Sequence, residues 1–176
     1  MRAGRTLYVD LKRERPATRI RHELDGIDQP VTTHRLLVTG SALWGAWLDY
    51  RPGVIPDVLV GMSAGGTIPT IAVAIAAGLP FHLAWPVDRD VSDGLPAGEP
   101  GFRRAEFLVS ERVRGKRVLV VDDEVAHGHT VASFVSALCD EAADVVGVLC
   151  MVEDTTGAGR QRVESTGVAL CTAKPR

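Results

Sequence analysis

No apolar run in these 176 residues approaches the roughly 18 needed to cross a bilayer, which argues against a membrane-spanning helix. The opening stretch MRAGRTLYVDLKRERP has no apolar core of the kind that marks a secretory signal, so a cytoplasmic protein is expected. Cysteine is scarce and odd in number. Cys139, Cys150 and Cys171 are widely spaced, stand among apolar residues and lack zinc-ligand spacing. They are expected to be reduced, buried and structural. An excess of one charge is missing too: 20 basic against 22 acidic residues leave a formal net charge of −2, which speaks against nucleic acid or an anionic membrane as partner. Basic residues gather only in two short runs, Lys12 to Arg21 and Arg112 to Arg117, and make no broad basic face. The chain has no internal repeat and no low-complexity tract.

What remains is an ordinary globular composition, 45 % apolar and 24 % charged, in a length that suits one domain over 1–176. Leu7 to Leu11 reads as a short strand inside a charged segment of about 30 residues. From His34 to Tyr50 the apolar residues Leu36, Leu37, Leu43, Trp44 and Trp47 recur at helical spacing, weakened by Gly40 and stopped by Arg51-Pro52-Gly53. Asp57–Gly61 reads as a buried parallel strand, Ile68–Ala77 as a buried helix and Phe81–Trp85 as the next strand. Pro86 to Arg104 is rich in proline, glycine and charge, and is expected to be a mobile surface loop. Strands over Lys116–Val121 and Val145–Val152 flank a helix over Thr130–Glu141, and Val168–Cys171 is a last short strand. This alternation predicts an α/β fold, a central mainly parallel sheet of about five strands flanked by helices.

Two strand-to-helix turns carry small residues. In GMSAGGT, Gly61 to Thr67, the glycines let backbone N–H groups approach a ligand, and the helix start favours an anion. The same residues would also serve simply to pack a helix close on a strand. In VLVVDDEVAHGHT, Val118 to Thr130, an apolar strand ends on Asp122 and Asp123, whose charges are expected to stay solvated there. Two adjacent carboxylates pointing to opposite sides suit vicinal hydroxyls or a metal-bound sugar. Ala126, His127, Gly128, His129 and Thr130 then offer backbone donors at a helix start, which suits a phosphate. A capping turn with exposed acids would explain the aspartates, though not their place beside the small-residue turn.

At these residues the sequence resembles the type I phosphoribosyltransferases, whose signature of apolar strand, two acids and a Thr-Gly-Gly-Thr-like loop is matched by VLVV-DD-EVA-HGHT. Within that family it looks most like the orotate members. Gly4 to Lys12, Val58 to Phe81 and Val145 to Leu170 are similar to their N-terminal strand, diphosphate loop with its helix, and closing segment. The resemblance implies transfer of a 5-phosphoribosyl group from 5-phosphoribosyl-1-diphosphate, with Mg2+ on the diphosphate, in a homodimer that takes small-molecule substrates. Asp122 and Asp123 would hold the ribose hydroxyls and possible metal contacts, and Ala126 to Thr130 the 5′-phosphate. Ser63, Ala64, Gly65 and Gly66 would form the diphosphate loop, in which the family often has a non-proline cis peptide. Segment 86–104 would be a lid that excludes water, and a small hood from about 1–30 and the chain's end would cover the acceptor near Tyr8 and Asp10.

Three departures bear on function. The strand before the lid ends Trp85-Pro86-Val87-Asp88 where the family carries Arg-Lys, leaving Arg89 as the nearest catalytic cation, with Arg103 and Arg104 beyond the lid. His127 and His129 replace Thr and Gly in the phosphate loop; they either tighten the phosphate grip or line the loop without a chemical role. Asp154, preceded by Glu153, stands where the orotate enzymes have an Arg that meets the orotate carboxylate. A carboxylate facing a carboxylate is repulsive, so the acceptor is expected to be something other than orotate: a nucleobase-like or amine-bearing compound. Both acids on a solvated turn is the plainer reading. The alternative function is a non-catalytic regulatory protein that binds the donor.

Overall fold

The computed structural model describes residues 5–12, 20–87 and 102–175. One seven-stranded sheet runs in the order β1-β4-β3-β2-β5-β6-β7. Its strands are β1 (Arg5–Lys12), β2 (Val58–Met62), β3 (Phe81–Val87), β4 (Phe102–Val109), β5 (Arg117–Val125), β6 (Asp144–Glu153) and β7 (Leu170–Pro175). The expected five parallel strands are there, β3-β2-β5-β6-β7. Two further strands, β4 and β1, extend one edge by antiparallel pairing.

β4 was not foreseen. Pro86 and Val87 complete β3, and Phe102 to Arg104 begin β4, so the expected loop over 86–104 is too wide at both ends. Pairing of Trp85 with Leu108, Pro86 with Phe107 and Val87 with Glu106 overrides the loop-like composition. Residues 88–101, with Arg89, lie outside the described residues. β5 is also longer than expected, running through the acidic residues to Val125.

Among the described residues four α-helices cover the sheet: α1 (Thr33–Tyr50), α2 (Thr67–Ala77), α3 (His129–Asp140) and the short α4 (Gly159–Glu164). α1 begins where the Thr32 hydroxyl accepts from the Arg35 N–H at 3.2 Å. Gly40 does not interrupt it. A Cβ there would lie 2.6 Å from the Ala72 carbonyl carbon, so the glycine is what lets α1 and α2 cross in contact. Trp47 is fully buried, its Nε1 donates to the Val54 carbonyl at 2.9 Å, and its ring lies over Gly147, where a Cβ would meet it at 2.5 Å.

The core has two halves, one on each face of the sheet. On one face α3 brings Val131, Phe134, Val135 and Leu138 against Leu7, Val9, Phe107, Val120 and Val148. Phe107 and Phe134 meet edge to face, with ring centroids 5.6 Å apart. On the other face Leu43, Trp47, Ala72 and Val73 pack with Leu24 against Leu59, Leu119, Val121 and Leu149. β2, buried at all five residues, is the spine between them. Cys150 and Cys171 are buried thiols as expected, whereas Cys139 lies exposed near the end of α3.

Candidate functional site

α2 follows β2 on one face of the sheet and α3 follows β5 on the other. β2 and β5 are neighbours, so the chain leaves their carboxyl ends in opposite directions and opens a crevice between the two turns. In open α/β sheets this is the position at which ligands bind. Both glycine-bearing turns singled out from the sequence are the walls of that crevice.

The β2 turn, Ser63 to Gly66, contains a cis peptide bond between Ser63 and Ala64. Gly66 is buried, and a Cβ on it would sit 2.7 Å from the carbonyl oxygens of both Met62 and Val121. Only a glycine lets this turn lie so low over the strand ends. Gly65 faces the acids: a Cβ there would be 2.5 Å from the carboxyl carbon of Asp123. The β2 turn is therefore in contact with β5, through the Asp123 side chain against the backbone of the diphosphate-loop candidate.

On β5 the side chains alternate. Val121 faces the α1/α2 side and so does Asp123, against Gly65; Asp122 faces the α3 side, opposite Cys150 of β6. The expected splay of the two carboxylates is present, but they are not solvated. Asp123 is only 7 % exposed and Asp122 half-buried, because β5 runs four residues past Val121, to Val125. Loss of water, followed by the neighbouring Asp123 charge, raises the Asp122 carboxyl well above its ordinary range.

Residues 20–28 reach over this end of the sheet. Ile20 N–H donates to Glu124 Oε2 at 3.1 Å, and His22 Nε2 lies 3.4 Å from Asp123 Oδ2. His22 was not singled out from the sequence. It lies in an irregular segment, 101 positions from its partner, and nothing local marks it.

The second turn, Ala126 to Thr130, leads into α3. Gly128 has φ +71°, outside the range that suits other residues, and a Cβ on it would meet the Gly159 carbonyl oxygen at 2.5 Å. Gly159 approaches back: its Cβ would lie 3.1 Å from the Ala126 carbonyl carbon. Arg162 donates to the His127 carbonyl oxygen. The turn is thus propped from behind by α4, a support the sequence reading missed. His127 itself is exposed and His129 half-buried. Neither α2 nor α3 has a side-chain hydrogen bond at its N-cap, which is Gly66 and Gly128 respectively, in contrast to α1 with Thr32. The positive helix end suits an anion at both, although at α2 the Gly66 and Thr67 N–H groups already donate to the Met62 and Ala64 carbonyls and Pro69 has none to offer.

The acceptor residues expected from the sequence are dispersed. Tyr8 and Asp10 lie on β1, at the far edge, paired with Glu106 and Arg104 of β4. β1 is the far edge of the sheet, five strand positions from β6, which carries Glu153. β1 and β7, from the two segments expected to form the hood, are the opposite edge strands of the sheet. Glu153 is buried and bound by Arg160, whose Nη2 donates to Oε2 at 2.5 Å and Nε to Oε1 at 3.2 Å. Arg160 also donates to the Leu170 carbonyl at 2.6 Å, Thr172 Oγ1 at 3.2 Å and Glu164 at 3.0 Å. Glu153 therefore ties α4 and β7 to the strand end. Asp154 stands on the turn, where it accepts from the Thr156 hydroxyl and N–H, and these hold its carboxyl below the usual range.

Among the described residues no three His, Cys, Asp or Glu side chains converge as a metal-ligand group. At the crevice Asp122 and Asp123 are the carboxylates on offer, a set that suits magnesium held chiefly by substrate phosphates and water.

Comparison with known proteins agrees with this geometry. Residues 50–171 match the family model described as the phosphoribosyl transferase domain. A hypoxanthine/guanine phosphoribosyltransferase from Methanothermus fervidus is 34 % identical over 123 residues, 66 % of this chain and 61 % of that protein. An adenine phosphoribosyltransferase from Dichelobacter nodosus is 29 % identical over 129 residues, 70 % of this chain and 72 % of that one. Among solved structures, adenine phosphoribosyltransferase from Rhodothermus marinus superposes with a TM-score of 0.67 at 21 % identity, covering 99 % of this chain and 94 % of that one. The chain spans about 61 % of the length of the Methanothermus relative, and these relatives carry purine names where the sequence resemblance looked towards orotate. A match over residues 50–171, with both glycine-bearing turns inside it, places this chain in the phosphoribosyl transferase domain family.

Proposed function

We propose that the protein transfers the 5-phosphoribosyl group of 5-phosphoribosyl-1-diphosphate to a nucleobase-like acceptor other than orotate. The observation that carries this reading is the turn after β2 lying over the carboxyl-end half of β5, with the Asp123 carboxylate laid against Gly65. One turn, Ser63 to Gly66, would take the diphosphate on the Ala64 and Gly65 amides, since those of Ser63 and Gly66 donate to the Ala84 and Met62 carbonyls. The other, Ala126 to Thr130, would take the 5′-phosphate at the start of α3. Asp122 and Asp123 would accept from the ribose 2′- and 3′-hydroxyls between them. Departure of diphosphate leaves positive charge on C1 of the ribose, and the acids facing the ring suit that charge. Bound magnesium would supply charge neutralisation to the diphosphate, with the aspartates as its nearest protein oxygens. Little covalent work falls to the chain; positioning and electrostatics carry the reaction.

The acceptor preference rests on Asp154, ionised on the turn after β6, together with the purine names of the relatives. A carboxylate there repels orotate and suits a base that offers N–H groups. The second reading, a regulatory protein that binds the donor without turnover, is supported by the run Trp85-Pro86-Val87, which closes β3 without a cation.

The test is diphosphate release from the donor with magnesium, against a panel of purines, pyrimidines and amines. Release that depends on a base supports the transferase. Donor binding without release supports the regulatory reading, and absence of donor binding refutes both. Asp122→Asn with Asp123→Asn is expected to abolish donor binding, and retained affinity would refute the ribose assignment.

A further inference from the structure

We infer that His22 is a positioning residue that holds the Asp123 carboxylate in the orientation needed to accept from a ligand hydroxyl. The inference rests on the donor-binding reading above and assigns a further residue to it.

The imidazole is buried, its side chain 1 % exposed, so both ring nitrogens need partners. Leu24 N–H donates to Nδ1 at 3.2 Å. Nδ1 is thereby an acceptor, the ring proton resides on Nε2, and Nε2–H is the atom aimed at Asp123 Oδ2, 3.4 Å away. The segment that delivers the ring is itself fastened. Ile20 N–H is bound to Glu124, His22 N–H donates to Asp25 Oδ2 at 3.0 Å, and Leu24 is buried at 1 % exposure in the core with Leu43 and Trp47. Asp123 therefore stands between two fixed surfaces, the backbone of Gly65 and the imidazole edge of His22. One oxygen faces His22, and a carboxylate retains further lone pairs for hydroxyl donors. A carboxylate whose plane is set in advance loses less freedom when a vicinal diol arrives.

Two substitutions separate this role from a merely structural one. His22→Asn keeps an oxygen near the Nδ1 position for the Leu24 N–H, and so keeps the segment fastened, but it cannot reach Asp123. His22→Gln places an amide N–H near the Nε2 position. Calorimetric titration with 5-phosphoribosyl-1-diphosphate and magnesium is expected to show about a tenfold rise in Kd for His22→Asn, the scale of one hydrogen bond to a charged group at a long distance. His22→Gln is expected to stay within about threefold of the unaltered protein. In turnover the donor KM should follow the Kd while kcat changes little, because the ribose hydroxyls are held alike before and during reaction. Two results overturn the inference: both variants binding as tightly as the unaltered protein or tighter, or both losing the same affinity with the same fall in melting temperature. Failure of the unaltered protein to bind the donor would remove the function proposed above and this inference with it, whereas binding that ignores His22 removes the inference alone.

Discussion

Gly65→Ala tests the contact on which the site is built. The added methyl would sit 2.5 Å from the Asp123 carboxyl carbon, well inside contact distance, so either the carboxylate or the turn must move. Gly65 is not among the glycines with positive φ, so alanine brings no backbone strain of that kind, and the perturbation is steric. Asp123 cannot retreat towards His22, which is buried and held by Leu24. Displacing the carboxylate forfeits one hydrogen bond from a ribose hydroxyl to a charged acceptor, about 1.5–3 kcal/mol. At about 1.4 kcal/mol per factor of ten, that is roughly a ten- to hundredfold rise in donor Kd. Folding should lose about 1–3 kcal/mol, the usual cost of forcing a methyl into an occupied site, because the carboxylate it meets is held from the other side. Gly45→Ala on α1 is the matched control: a Cβ there meets nothing within 4 Å, so it should leave donor binding unchanged and stabilise the helix by about 0.5–1 kcal/mol. Calorimetric titration with the donor and magnesium, together with thermal melting, reads both quantities. A Gly65→Ala protein that melts normally and binds the donor as tightly as the unaltered one would refute the placement of Asp123 against the ribose.

Other consequences are more local. Gly159→Ala should also weaken donor binding although the residue would touch no ligand, because its methyl would press on the Ala126 carbonyl behind the phosphate turn; unchanged Kd in the same titration would show that turn to be unsupported by α4. Arg160→Leu leaves the buried Glu153 without its bidentate partner and should lower stability towards the lower edge of the ~3–5 kcal/mol typical of a broken buried pair, since Arg160 is itself partly exposed; urea unfolding measures it, and Glu153→Gln in the same chain should recover part of the loss. Asp57, held down to about 2 by Arg117, contributes stability that is complete above its ordinary value near 4 and is lost as pH falls towards 2. Melting temperature against pH should therefore fall less steeply between pH 4 and 2 for Asp57→Asn than for the unaltered protein, by a small amount because the pair is exposed.

How much of this was legible in the sequence follows the range over which each feature is specified. The parallel strands, α1 to α3 and both glycine-bearing turns are written in contiguous residues, as alternation, helical spacing and small residues at a strand end. They could be located without knowing what lies across the sheet. β4 is the opposite case: Phe102 to Arg104 belong to a charged, loop-like stretch and become strand only by pairing with β1, at Lys12, Leu11 and Asp10. Glu153 shows the same limit in a single residue. Beside Asp154 it looks like half of an acceptor site, and only the fold reveals Arg160 of α4 already holding it.

The aspartates carry the sharpest lesson. Reading them as solvated acids at a strand end required β5 to stop at Val121, whereas pairing of Glu124 with Val152 and Val125 with Glu153 carries the strand on and takes Asp123 out of water. A buried acid pair cannot remain doubly charged without partners, and the structure supplies one from residues 20–25, a segment that composition alone marks as irregular. The site is therefore a composite. Local sequence specifies the turns that would receive the phosphates, while the surroundings of the acids that would receive the sugar depend on a contact made across 101 positions of chain. His22→Asn should therefore weaken donor affinity at the lower end of the range expected for Gly65→Ala, although no motif search would choose that segment.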